Sequence, residues 1–301
     1  MASVSEIEDG IFEIKPENWE QGIPCTCYLV VDDQITLIET GASSQVPEIL
    51  AGMAKIGYEA ASLSYIIPTH IHADHGGGAG YLTRLAPGAR VVVHDHGAPH
   101  LIDPSKLIEG TRHVFGDKFE DEFGPLLPVP ETQILAVQGD EVIQTGEREL
   151  KIIYSPGHAS HHICIYDPKS EGLFCGEALG CYLPEGDMLI LAIAPPVFEF
   201  ALAMDTINRL KQLEPKILFF SQWGISREAD KLISLSQEYT KTCGDIILEA
   251  MKAGETEDMI SQKVGHFIFY ERYIKSKCLR DTASSFGAGP LMAYFKREGL
   301  V

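Results

Sequence analysis

Thr69-His70-Ile71-His72-Ala73-Asp74-His75-Gly76-Gly77-Gly78 is the stretch whose reading decides the fold. Just before it, Leu63 to Pro68 is a short apolar run closed by a proline, the pattern of a strand. Just after it, the glycines permit a tight turn into a helix expected over Gly78 to Leu85. Three histidines and an aspartate therefore stand where a strand gives way to a helix, at the edge of a sheet. His70 and His72 lie two apart in an extended loop, so they point the same way and can grip one ion. Asp74 and His75 come after the turn and can face a second. Neutral imidazoles suit zinc or iron, and a carboxylate suits iron, manganese or zinc.

Working outward, Thr26 to Val31 and Ile35 to Glu39 are β-rich runs joined by Asp32-Asp33-Gln34, a hairpin pattern. The second run ends in Leu37-Ile38-Glu39-Thr40-Gly41. Ser44 is placed to cap a helix through Ile56, with Val46, Ile49, Leu50 and Met53 at helical spacing. Gly10 to Lys15 reads as an edge strand, Arg90 to Val93 as a strand and His94 to Leu101 as the start of a helix. His94, His96 and His100 are expected at the surface or in supporting contacts. Asp103 to Pro130 shows little periodicity and is expected to be an irregular flap on the substrate side.

In the second half, Gln133 to Val137, Glu141 to Gln144 and Leu150 to Tyr154 read as strands. They lead into Ser155-Pro156-Gly157-His158-Ala159-Ser160-His161-His162. Strands at Ile163 to Tyr166 and Gly172 to Cys175 follow, the latter running into Gly176-Glu177-Ala178-Leu179. Pro196 to Leu213 is amphipathic, and the strand Lys216 to Phe220 ends in Ser221-Gln222-Trp223-Gly224. From Arg227 onward the pattern is helical, with breaks expected at Gly244, Ala253-Gly254 and Gly265.

The chain has 301 residues, enough for one large domain or a core with an appendage. Its formal net charge of −19, from 43 acidic and 24 basic residues, argues against a nucleic-acid surface, which needs clustered Lys and Arg. The N-terminal residues lack an apolar signal region, and the longest greasy run, Met188 to Phe198, is interrupted by Pro195-Pro196 and too short to span a bilayer. No membrane association is expected. Seven scattered cysteines fit reduced thiols in a cytoplasm. Cys25-Thr26-Cys27 has the wrong spacing for a zinc knuckle or redox pair and reads as two strand residues.

His70-x-His72-x-Asp74-His75 resembles the signature of the metallo-β-lactamase superfamily, and Gly157-His158 is similar to that family's next metal-binding motif. The resemblance implies an α/β fold, an αββα metallo-β-lactamase sandwich, with one or two metals at its edge. It implies that His70, His72 and His158 hold a first ion, that Asp74 and His75 hold a second, and that Glu39 orients a ligand from beneath. Glu177 stands where relatives carry a bridging aspartate, and Gln222 about where they carry a last histidine. Both departures weaken the second site. His162 matches a structural histidine of the family and is not counted as a ligand, while His161 is a candidate contact to substrate or to a ligand.

The helical tail is similar to that of glyoxalase II-like and acyl-CoA thioesterase-like members, 2-aminobenzoylacetyl-CoA thioesterases in particular. Residues 1–225 are thus expected to form the core, with 103–130 as flap, and 226–301 a helical cap. The leading expectation is a metal-dependent hydrolase, a thioesterase acting on an acyl-CoA-like or other small-molecule ester. Two divalent metals (zinc or iron, with manganese an option) would serve it, and Asp74 would take a proton from water. An iron oxidoreductase resembling persulfide dioxygenases is the alternative from another class, and a degenerate metal-binding sensor is the third. A small-molecule substrate is the expected partner, with a homodimer as an option, and neither nucleic acid nor membrane is expected.

Overall fold

The computed structural model describes residues 2–16, 25–184, 188–194, 198–268 and 288–301. The expected helical pattern over 269–287, the residues Pro195 and Pro196, and Cys278 lie outside them.

Seven strands form the first sheet in the order β1 (Ser3–Glu8), β2 (Ile11–Lys15), β3 (Cys27–Val30), β4 (Ile35–Ile38), β5 (Leu63–Ile67), β6 (Arg90–His94) and β7 (Ile134–Val137). The hairpin strands β3 and β4 are antiparallel, and β4 through β7 run parallel. The second sheet is built from β8 (Val142–Gln144), β9 (Glu149–Tyr154), β10 (Ile163–Asp167), β11 (Gly172–Gly176), β14 (Ile217–Phe220) and β15 (Ile225–Ser226). A separate two-stranded ribbon pairs β12 (Cys181–Leu183) with β13 (Met188–Ile190).

Side-chain alternation along the strands sorts the core into layers, as the period of two requires. On β3, Cys27 and Leu29 pack outward with the helices α1 (Val46–Lys55) and α2 (Ala79–Leu85), while Tyr28 and Val30 face the second sheet. On β14, Ile217 and Phe219 face the first sheet. Leu218 and Phe220 turn the other way, toward α6 (Phe200–Lys211) and α7 (Ala229–Lys252). Helix, sheet, sheet and helix thus stack in four layers, the αββα sandwich. The chain's loading of one edge matters for function: the ends of β4, β5, β11 and β14 all open on the same side.

Several local expectations need correction. β2 is an inner strand; β1, with Ser3, Ser5 and Glu6 exposed, is the edge. Ser44 does not cap α1: its hydroxyl donates to the Glu122 carbonyl at 2.7 Å, and the helix starts after Gln45 without a side-chain cap. The helix after β6 is limited to α3 (Ala98–Ile102), and His94 is still strand. The 103–130 segment is largely helical, with α4 (Ser105–Phe115) and α5 (Phe119–Phe123). Phe115, Phe119 and Phe123 are four apart, a helical spacing, and Phe119 and Phe123 are buried against Ala42, Ala73 and Leu126.

Past β15 the described residues are helical: α7, α8 (Glu257–Ile268) and α9 (Gly289–Arg297). Their apolar faces meet Ile190, Leu191, Ile193 and Phe198. α7 runs unbroken through Gly244 and α8 through Gly265, contrary to the expected breaks; only the one at Ala253-Gly254 is found. Gly244 has a packing reason, because a Cβ there would come within 2.4 Å of the Phe200 ring. Its place in α7 is set by helix-to-helix approach rather than by helix ending. Gly244→Val should destabilise the fold by about 1–3 kcal/mol through overpacking. Urea unfolding checks this, with the midpoint falling and the slope unchanged.

Candidate metal centre

Glu39 follows the last residue of β4 with φ at +66°, a left-handed backbone that costs a non-glycine residue about 1–3 kcal/mol. The conformation drives its carboxylate under the metal loop, where it is fully buried. Its Oε1 accepts hydrogen bonds from the Thr69 hydroxyl at 2.5 Å and the Ser221 hydroxyl at 2.5 Å, and from His75 Nδ1 at 3.3 Å. Its Oε2 accepts from the Thr69 backbone N–H at 3.3 Å. One acid thus ties the ends of β4, β5 and β14 together.

The Thr69 hydroxyl, having given its proton to Glu39, accepts from His70 Nδ1 at 3.1 Å. The His158 Nδ1 donates to the Ala192 carbonyl at 2.8 Å. These bonds leave the lone pair of each Nε2 facing inward, the tautomer a metal ligand needs. His158 arrives from the β9–β10 loop, where Gly157, at φ +141°, lets the backbone pass so close to Ala203 that a Cβ would lie 2.5 Å from its Cα.

His70 Nε2, His72 Nδ1 and His158 Nε2 stand 2.9, 3.0 and 3.2 Å from one another. Glu177 Oε2 is 2.9 Å from His158 Nε2 and 3.6 Å from His70 Nε2. A tetrahedral ion with Zn–N bonds of 2.0–2.1 Å holds its nitrogens ~3.3 Å apart. Burial, then the neighbouring imidazoles, hold His70 well below the usual histidine range and bring His72 down to about 4. Held uncharged, His70 and His72 turn lone pairs inward at this spacing, which repel unless a cation lies between them; His158, raised by Glu177 against the effect of burial, supplies that charge as a proton when no ion is there. The donor set therefore fits a metal, and His70, His72, His158 and Glu177 form a cluster able to hold one.

Beside this cluster, His75 Nε2 is buried and lacks a hydrogen bond among the described residues. It lies 3.2 Å from Asp74 Oδ2 and 3.7 Å from Glu177 Oε2. Burial pulls the His75 imidazole down, but Asp74 and Glu39 outweigh it and hold it well above its ordinary value. Burial likewise raises Glu177, and the His158 charge opposing it leaves the carboxyl low and ionised. Gln222 is buried in the turn after β14, a turn pinned by the Tyr28 hydroxyl donating to the Phe220 carbonyl at 2.6 Å. Asp74, His75, Glu177 and Gln222 thus surround a second position.

His161 approaches from the other side. Its Nδ1 accepts from the Ile71 N–H at 3.4 Å, its ring stacks on His70 at 6.2 Å between centroids, and burial drops its pKa to about 2. His162 turns inward: its ring joins the Ser155 hydroxyl at 3.1 Å and accepts from the Glu177 N–H at 3.2 Å, which fixes where Glu177 begins. His94 stacks on Tyr154 and, with Asp95 and His96, forms a separate group nearer the surface.

Two cysteines at the centre were not anticipated. Cys25 precedes β3 rather than lying in it, and its sulfur clusters with Glu39 and His75. Cys181, first residue of β12, donates to Glu177 Oε1 at 3.2 Å. Burial, then the Glu177 carboxylate, push the Cys181 thiol well up, so it remains a donor. The even spacing of Cys25 and Cys27 was the available signal for the first. Nothing local marked the second. All six cysteines among the described residues are free thiols.

A family description, Metallo-beta-lactamase superfamily, matches residues 21–223. The chain belongs to this superfamily, and so to a family of metal-dependent hydrolases. Among its relatives, the metallo-beta-lactamase fold-containing protein ST1585 of Sulfurisphaera tokodaii is 27% identical over 204 residues, 66% of this chain and 73% of that protein. Its crystal structure superposes with a TM-score of 0.64 at 24% identity, covering 77% and 86% of the two chains. TTHA1429, a metallo-beta-lactamase family protein of Thermus thermophilus, superposes with a TM-score of 0.69 at 18% identity over 98% of this chain and 95% of that one. Acyl-coenzyme A thioesterase MBLAC2 of Bos taurus is 27% identical over 57% of this chain, and the match spans 64% of its own length, just under two thirds. Among the described residues no helix is long and apolar enough to cross a membrane.

His72→Ala should abolish metal binding at the three-histidine cluster. Glu39→Gln should weaken it about 10–100-fold, because the supporting bonds to Thr69 and His75 are loosened. Zinc titration followed calorimetrically, with folding monitored by circular dichroism, checks both.

Proposed function

We propose that the chain is a metal-dependent hydrolase that cleaves the thioester or ester bond of a small acyl substrate, an acyl-CoA thioester foremost. The observation that carries the reading is the position of Glu177 Oε2, which faces His158 and His70 on one side and His75 on the other. One carboxylate oxygen set between two nitrogen groups suits a two-ion centre, with zinc, iron or manganese as the candidate metals. Similarity to an acyl-coenzyme A thioesterase supports the substrate class.

Ions held by His70, His72, His158 and Glu177, and by Asp74 and His75, would supply Lewis acidity and a water acidic enough to ionise at neutral pH. Asp74 is the more open of the two carboxylates, its side chain 14% exposed against 6% for Glu177. It accepts the proton released by the attacking water and returns it to the departing thiolate, so that the acid and the thiol leave with no net proton change at the site. In this reading residues 1–225 are the catalytic core. The 103–130 segment and the described helices past β15 serve as flap and cap beside it and border the acyl group.

The test is a panel of acyl-CoA thioesters assayed for free thiol, alongside persulfide assayed for oxygen uptake. Thioester hydrolysis without oxygen uptake is expected, and Asp74→Asn should lower kcat about 10²–10⁴-fold while the three-histidine cluster still binds metal. Persulfide-dependent oxygen consumption would instead support the iron oxidoreductase, and metal binding with neither activity a sensor.

A further inference from the structure

The two oxygens of Glu177 have different surroundings. Oε2 faces His158, His70 and His75. Oε1 accepts two hydrogen bonds, from the Gln222 amide at 3.1 Å and the Cys181 thiol at 3.2 Å. The same Gln222 nitrogen lies 3.4 Å from Asp74 Oδ2. All of these side chains are buried or nearly so.

A glutamate side chain is long and has a freely turning carboxylate, which could otherwise chelate one ion with both oxygens or swing clear of it. Two donors on Oε1 remove that freedom: they turn the carboxylate so that a single oxygen is presented to both nitrogen groups. The Gln222 amide has two N–H bonds, enough for one to each carboxylate, so it also lowers the repulsion between Asp74 and Glu177. We propose that Gln222 and Cys181 are positioning residues that clamp Glu177 so that its Oε2 bridges two metal ions. Gln222 is then a working part of the second site rather than a lost ligand. The inference rests on the two-ion reading above.

Zinc titrations that resolve the first and second equivalents test it, on the full chain and its variants. Gln222→Leu and Cys181→Ala should each weaken the second equivalent about tenfold or more, with the first changed less than about twofold. Cys181→Ser, which keeps a donor of nearly the same size, should restore the second equivalent. In a Glu177→Asp background the shorter arm no longer reaches both donors, so adding Gln222→Leu should have no further effect. A second equivalent indifferent to both substitutions would overturn the clamp. So would equal weakening of both equivalents, or a Gln222→Leu effect of full size in the Glu177→Asp background. A wild-type chain that binds only one equivalent overturns the clamp and leaves a one-ion hydrolase standing. One that binds none overturns the two-ion reading itself.

Discussion

The buried carboxylate of Glu39 is the constraint on which the rest of the centre depends. An unpaired charge in this position would be costly, and it is tolerated because four donors converge on it. The donors come from three parts of the site. The Thr69 hydroxyl carries the orientation of His70, His75 is held directly, and Ser221 brings the turn that contains Gln222. The strained backbone at Glu39 is stable only because the surrounding strands fix it from both sides. Strand ends in both sheets are thereby locked around one charge, and His70 and His75 inherit their tautomers from it.

From that anchor, the division between the two positions follows. The first is made of imidazoles, two of which have the outer nitrogen fixed, His70 by a hydroxyl and His158 by a carbonyl, so most of its geometry is set before any ion arrives. The second is made of longer or more adjustable side chains, Asp74, Glu177 and Gln222, together with His75. Its geometry depends on hydrogen bonds among those side chains. A tight first ion and a more exchangeable second are the natural consequence, and the sulfur of Cys181 enters as part of that hydrogen-bonded support.

Much of this was legible in the sequence where the signal was local. His70, His72, Asp74 and His75 lie within one loop, and Gly157 announces His158 by letting its loop fold back. The four-layer sandwich followed from strand runs and a loop motif that resembled those of a known family. What was not legible depends on strand register across the two sheets. Cys181 reaches Glu177 because β12 turns back after Gly180, and Ser221 reaches Glu39 because β14 runs parallel to β11 and ends beside it. Residues 103–130 were misread because prolines and charges hid the four-residue spacing of Phe115, Phe119 and Phe123. Gly244 was misread because a glycine that ends a helix and one that lets a neighbouring ring approach look alike in one dimension.

The measurement that tests the account most directly is metal content per chain on protein purified without added metal or chelator, repeated after dialysis. The account predicts two equivalents of zinc, iron or manganese, with one lost on dialysis and one retained. Protein that carries no metal, and takes up none when it is supplied, would contradict it, because the inward-facing nitrogens of His70, His72 and His158 would then need another explanation.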